Sequence, residues 1–192
     1  MSAEPRSRLA LYLALGYTLL ILYASLSPFA GWRHPGQSAL QFLVEPWPRY
    51  VAAFDIAINV LAYVPFGFLV AAALLPGRSA RWAGLAGFAA GLALSFALEC
   101  AQGFLPGRIA NKLNLATNAP GAALGAWVAV RAGSVPRIVR PLARWRQRWF
   151  LPGGVIDLGI ALIGLWLFSQ LDPSLPLFGI VFFSDGVQAQ LA

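Results

Sequence analysis

The sequence predicts an all-α integral membrane protein, a helical bundle that crosses the bilayer about five times. Three properties of the 192-residue chain carry this prediction. Hydrophobic residues make up 59% of it, charged residues make up 11%, and the mean hydropathy is +0.68. A soluble domain has about 25% charged residues, so this chain has too few polar side chains to cover a water-exposed surface. Its high apolar content also excludes an intrinsically disordered protein.

Five apolar runs are predicted to span the membrane, since a span needs about 20 consecutive apolar residues. They cover residues 9–26, 56–75, 82–98, 115–130 and 155–171. A cleaved signal peptide is the alternative interpretation of the first run, but its apolar region would be unusually long. A last apolar stretch, residues 175–183, is too short to cross the bilayer and predicts an interfacial or disordered tail.

The basic residues predict that the N-terminus lies in the cytoplasm. Lys and Arg concentrate on the cytoplasmic side of membrane proteins. With five spans, ten of these residues lie on the same side of the membrane as the N-terminus and four lie on the opposite side. The ten are Arg6, Arg8, Arg78, Arg81, Arg131, Arg137, Arg140, Arg144, Arg146 and Arg148, and the four are Arg33, Arg49, Arg108 and Lys112. The net charge of +7 is therefore interpreted as a topology signal, and no nucleic-acid partner is predicted.

A basic segment after the fourth run divides the chain into three predicted regions. Residues 1–131 form a four-span domain, residues 132–150 a basic amphipathic segment, and residues 151–192 the fifth span with an outer tail. On a helix, one stripe is formed by Arg137, Arg140, Arg144 and Arg148, and another by Ile138, Leu142, Trp145 and Trp149. This pattern is typical of a helix in the lipid headgroup layer. Specific binding of an anionic lipid is the alternative to simple anchoring.

Polar residues within the apolar runs are the informative ones, because they are costly in a bilayer and usually face protein or water. Side chains three, four or seven positions apart share one face of a helix. Such stripes are formed by Asp55, Asn59 and Tyr63 in the second run, by Ser95, Glu99 and Gln102 in the third, and by Asn114, Asn118, Gly121 and Gly125 in the fourth. The pairs Gly87/Gly91 and Gly121/Gly125 have the GxxxG spacing that lets helices pack closely.

The three polar stripes lie at one membrane level, the outer face in the predicted topology. A shared site is therefore expected from Asp55, Asn59, Glu99, Gln102, Arg108, Asn114 and Asn118. Arg108 is expected to pair with a carboxylate there, most plausibly that of Glu99. Two interpretations stay open. The cluster either holds the helices together without a ligand, or it binds or transforms one.

The remaining reactive residues predict no further site. His34 is interpreted as a solvated loop residue and Cys100 as a packing residue. Asp157 is expected either to extend towards water or to be favoured by the dipole of its helix. One Cys and one His cannot form a disulfide framework or a zinc site, so neither a metal nor a cofactor is predicted.

Two spaced motifs resemble the VanZ-like membrane proteins. They are Glu99-x2-Gln102-x5-Arg108-x5-Asn114-x3-Asn118-x2-Gly121-x3-Gly125, and Asp55-x3-Asn59 followed by Pro65-x-Gly67, within residues 9–131. The resemblance implies a bacterial multi-span inner-membrane protein of a family named for a member linked to teicoplanin resistance. That family usually has Asp at the position of Asn114. Asparagine keeps the hydrogen-bonding ability of that residue but lacks its charge.

Three functions are consistent with these residues. The first is an accessory protein of the cell envelope that binds an anionic lipid, a lipid-linked precursor or a glycopeptide. In it Arg108 clamps a phosphate or carboxylate, and Asn59, Gln102 and Asn118 form hydrogen bonds to the ligand. The second is a membrane-embedded enzyme with Glu99 as general acid or base. The third is a transporter or a purely structural bundle, although no internal repeat supports transport. The sequence predicts no oligomeric state.

Overall fold

A computed structural model describes residues 8–133, apart from residues 35, 37 and 49, and residues 154–169. This part of the chain contains six α-helices and no strand, so the all-α class is confirmed for it. The helices are α1 (Leu9–Leu26), α2 (Gln41–Val44), α3 (Ala53–Leu74), α4 (Ala80–Gln102), α5 (Lys112–Gly133) and α6 (Gly154–Ser169). The predicted basic stripe of residues 137–148 and the tail after residue 171 lie outside the described residues.

Three of these helices, α1, α3 and α4, are long and apolar enough to cross a membrane. Helix α5 has 22 residues and therefore the length of a span, but it carries Lys112 and Arg131 at its ends and several polar residues between them. Its small residues are buried against protein, and a helix that neighbouring helices surround needs less apolar surface than one that faces lipid. The apolar part of α6, Gly154–Gly164, is shorter than a span.

Helix α3 contacts α1, α4 and α5, and α5 packs against α3 and α4. Helix α1 packs mainly against α3, and α6 packs against α1. The larger apolar cluster forms where α1, α3 and α4 meet and contains Tyr17, Ile21, Tyr63, Phe66 and Leu98. A second cluster of alanines, between α3 and the C-terminal half of α5, contains Ala71, Ala126 and Ala129.

The contact between α3 and α5 is backbone against backbone. A Cβ atom on Gly121 would overlap the carbonyl oxygen of Val60, and one on Gly125 would overlap that of Val64. Side chains at these positions would push the two helices apart. Glycine is therefore required here because the two helices are so close together, and not because of its backbone conformation. Small residues allow the same close packing in other membrane helix pairs.

Helix α4 uses glycine in the same way. A Cβ atom on Gly91 would overlap the Cβ atom of Ala122, and one on Gly87 would lie 2.8 Å from the carbonyl oxygen of Gly67. All four glycines of the GxxxG pairs thus lie where two helices meet. Because α3, α4 and α5 pack at these positions, the polar residues one to three turns away on the same helices are brought to one end of the bundle.

Asp157 joins α6 to α1. Its side chain is 1% exposed, so it does not extend to water as one of the two sequence interpretations expected. Instead its Oδ2 atom accepts the backbone N–H of Arg8 at 2.8 Å. This N–H lies at the start of α1, where backbone donors lack partners within the helix, and the carboxylate also lies in the first turn of α6, where negative charge is favoured.

We expect the substitution Gly125→Ala to lower the free energy of unfolding by about 1–3 kcal/mol, because the added methyl group separates α3 from α5. Thermal unfolding of the purified protein in detergent measures this. Gly159→Ala is the matched control, since no atom lies within 4 Å of a Cβ atom at that helical glycine and alanine favours a helix by about 1 kcal/mol. Equal melting temperatures for the two variants would contradict the close α3–α5 contact.

Candidate functional site

A cavity of about 290 Å³ lies at the end of the bundle where α1 and α4 end and α3 and α5 begin. We call this the site end. Six of the seven residues predicted to form a site line the cavity, namely Asn59, Glu99, Gln102, Arg108, Asn114 and Asn118. Asp55 is not among the lining residues. It is exposed in the first turn of α3, before that helix meets its neighbours, where a carboxylate is favoured by the helix dipole.

The Glu99 carboxylate lies at the centre of a hydrogen-bonded chain of side chains. It is 3% exposed, and its Oε2 atom accepts the backbone N–H of Asn111 at 2.5 Å. The Asn114 amide lies beside the same carboxylate, and its Oδ1 atom accepts a hydrogen bond from Nδ2 of Asn59 at 2.9 Å. The amide of Asn114 can link the two because it carries both a donor and an acceptor, whereas an ionised Asp only accepts.

The predicted ion pair between Arg108 and Glu99 is wrong. Within the described residues, the Arg108 guanidinium instead donates to the carbonyl oxygens of Ala24 at 3.3 Å and Ser27 at 2.8 Å. These carbonyls lie at the end of α1, where the last turn leaves acceptors without partners in the helix. The Glu99 carboxylate is buried deeper and already occupied by donors from α5 and the loop before it, so Arg108 stays exposed.

Two side chains fasten the end of α1 to this site. Besides Arg108, Gln102 donates from Nε2 to the carbonyl oxygen of Ser25 at 3.1 Å. As a result Ile21, Ala24 and Ser25 of α1 line the cavity. The sequence analysis assigned no site residue to α1, because its contribution consists of backbone carbonyls and small or apolar side chains that form no polar stripe.

The deepest polar contacts are made by Asn118. Its Nδ2 atom lies 2.9 Å from Oγ of Ser95, and Ser95 also hydrogen-bonds Tyr63. Asn118 is 6% exposed, and its Oδ1 atom has no hydrogen-bond partner among the described residues. We refer to Ser95, Glu99 and Asn118 as the floor of the cavity. Ser95 and Tyr63 belong to the predicted stripes but were not assigned to the site.

The exposed part of the cavity lining belongs to α1, α3 and the loop after α4. Ala24 and Ile58 lie on these two helices, both line the cavity, and both are exposed, Ile58 at 51%. With Arg108 they form what we call the mouth. Leu19 and Tyr23 of α1 and Phe54 and Leu61 of α3 are exposed near the mouth, and the exposed carboxylate of Asp55 lies three positions before Ile58. The mouth therefore joins a polar interior to a largely apolar outer surface.

The loop between α1 and α3 folds over the site end and contains α2, a short helix that the sequence did not predict. Phe42 of α2 is buried, and its ring lies 6.2 Å from that of Phe96. The Lys112 ammonium lies 5.0 Å from the ring centre of Trp47 and donates to the carbonyl oxygen of Glu45. Trp32, Trp47 and Tyr50 are exposed, as is common for aromatic residues at a membrane interface.

His34 and Cys100 lie apart from the cavity lining. His34 is exposed, accepts the backbone N–H of Gly36 at its Nδ1 atom, and presents its ring to Phe104 in an edge contact. Cys100 is a half-buried free thiol. Neither residue is part of the floor.

Comparison with known proteins yields one match. The family described as VanZ/LLP1 matches residues 8–133, more than half of the chain, and this stretch contains α1 to α5 and every residue that lines the cavity. No curated protein and no solved structure matches the chain significantly.

We expect Asn59→Ala and Asn114→Ala to be coupled, because each removes one end of the same buried hydrogen bond. A double-mutant cycle on the free energy of unfolding measures this, with an expected coupling of about 0.5–3 kcal/mol. Asn59→Ala combined with Thr117→Ala is the control and should be additive, since the Thr117 hydroxyl donates to carbonyls of its own helix. Additivity in both cycles would mean that the Asn59–Asn114 bond does not form.

Proposed function

Since the chain belongs to the VanZ/LLP1 family, we propose that it is a multi-pass protein of the bacterial inner membrane that binds the polar head of an amphiphilic cell-envelope component. In this proposal the N-terminus is cytoplasmic and the site end lies at the outer face. The distribution of Lys and Arg supports this orientation, and the exposed aromatic residues of the loop after α1 suit an interface.

The observation that carries the proposal is the character of the cavity. Polar side chains from α3, α4 and α5 converge in it, yet two of its three exposed lining residues, Ala24 and Ile58, lie on the apolar helices α1 and α3. A soluble ligand would meet apolar helix faces on the way in. A lipid or lipid-linked molecule can place its polar head on the floor and leave its chain beside α1 and α3. We therefore favour an amphiphile that enters from the membrane.

The biological role that we propose is accessory protection against teicoplanin-type glycopeptides, as the family resemblance implies. By binding an envelope lipid or lipid-linked precursor, the protein would alter what the antibiotic meets at the outer face. Arg108 is the residue of the mouth that carries a positive charge. Its guanidinium has five N–H donors, of which those on one nitrogen are directed at α1, so others can bind a phosphate or carboxylate.

A membrane-embedded enzyme is the second candidate, and the position of Glu99 favours it. This carboxylate lines the cavity and would face any ligand that reaches the floor. A positioned carboxylate can act as general acid or base on a bound substrate. The two candidates differ in one readout, because an enzyme returns a lipid-linked precursor chemically changed, whereas a binding protein returns it unchanged.

The proposed orientation predicts which side of the membrane each loop faces. In a Cys100→Ser background, we expect Ser38→Cys to react with a membrane-impermeant maleimide in spheroplasts and Gly77→Cys to react only after permeabilisation. Both positions are exposed, and they flank opposite ends of α3. The reverse labelling pattern would place the site end in the cytoplasm and exclude a role at the outer face.

The proposed role predicts that Arg108→Ala removes protection. Expressed in a teicoplanin-susceptible bacterium, this variant should return the minimal inhibitory concentration to that of cells without the protein. Arg131→Ala is the matched control, because Arg131 lies over the Trp127 ring at the opposite end of α5. Both variants should accumulate to the wild-type amount. Full protection by Arg108→Ala at equal abundance would rule out the proposed role of this residue.

A further inference from the structure

The floor and the mouth of the cavity differ in chemistry, and from this difference we propose that the ligand is an aminophospholipid. Its primary ammonium group lies on the floor against Glu99 and Asn118, and its phosphate lies at Arg108. The inference rests on the proposed function, since it names the class of amphiphile that the same cavity receives. It is carried by three observations, namely an uncompensated buried carboxylate, an unpartnered buried acceptor and the volume of the cavity.

The first observation is the environment of the Glu99 carboxyl group, which is 3% exposed. Within the described residues, no Lys, Arg or His forms an ion pair with it, and its partners are the neutral backbone N–H of Asn111 and the amide of Asn114. A buried carboxylate is normally paired, because removing a charge from water is costly without a partner. A ligand that brings a positive charge to the floor supplies this partner, whereas an anionic group there would be repelled.

The second observation is the free acceptor of Asn118. Its Oδ1 atom is buried without a partner, and nearly all buried polar atoms in proteins have one. Asn118 lines the cavity and bonds Ser95, which lies one turn before Glu99 on α4. Residues four apart on a helix have Cβ atoms about 5–6 Å from each other. A primary ammonium has three N–H donors and can reach both acceptors, whereas a quaternary ammonium has none.

The third observation is size. The cavity volume of about 290 Å³ is at the lower limit of about 300–1,000 Å³ for small-molecule sites. It can hold a small headgroup but not the sugar and peptide of a complete cell-wall precursor. In an aminophospholipid headgroup a two-carbon link joins the ammonium to the phosphate, so one small headgroup carries both the donor for the floor and the acceptor for Arg108.

Native mass spectrometry of the purified full-length protein in detergent tests the proposal with lipids that share acyl chains. We expect phosphatidylethanolamine to bind at least about tenfold more tightly than either of two other lipids, and tenfold corresponds to about 1.4 kcal/mol. The first is phosphatidylcholine, which keeps both charges but has no N–H donor. The second is phosphatidylglycerol, which keeps the phosphate but has no cation. Soluble phosphoethanolamine should bind at least about tenfold more weakly than the lipid. Equal affinity for both would assign the site to a free headgroup instead and overturn the lipid part of the proposal.

Glu99→Gln should bring the affinity for phosphatidylethanolamine down to that for phosphatidylcholine. Glu45→Gln is the matched control, because it makes the same chemical change outside the cavity lining, and it should keep the preference. If Glu99→Gln does not fold, the wild-type lipid series still decides. Equal binding of the three lipids, or an unchanged preference in folded Glu99→Gln, would overturn the ammonium assignment but leave the proposed function intact. Binding of none of the lipids would contradict both.

Discussion

The close approach of α3 and α5 is the contact on which the site depends. Gly121 and Gly125 allow the backbone of α5 to touch carbonyl groups of α3. The short distance between the two helices places Asn114, about two turns before Gly121, within hydrogen-bonding distance of Asn59. A wider separation would break this part-buried hydrogen bond, and a buried polar group that loses its partner costs about 1–3 kcal/mol. The small residues and the polar residues of α5 are therefore parts of one arrangement.

Helical spacing made most of the polar residues of the lining predictable. The stripes on the second, third and fourth runs identify Asn59, Glu99 and Asn118 as residues of shared faces, and the alternating directions of the helices place them at one end of the bundle. Asp55 satisfies the same spacing but lies in the first turn of α3, where no other helix covers it. Spacing alone does not tell how far along a helix its neighbours extend.

The partners of these residues were less predictable than their positions. Charge alone favoured a bond between Arg108 and Glu99, but the open carbonyls at the end of α1 compete for the guanidinium, and Asn111 occupies the carboxylate first. Both competitors are backbone groups, which a sequence does not display as a pattern. For the same reason the roles of α1 and of α2 could not be inferred from residue types. The structure also explains why an amide can serve at position 114, since Asn114 lies between Asn59 and Glu99 and carries both a donor and an acceptor.

Helix α1 is held by directed bonds at its two extremities and by apolar packing between them. At its start, Asp157 binds the Arg8 amide; at its end, Arg108 and Gln102 bind carbonyl oxygens. A phosphate that drew the guanidinium away would undo part of the second attachment and leave the first untouched. Ligand binding at the mouth would then weaken one attachment of α1, while Gln102 and the contact with Asp157 of α6 still hold the helix.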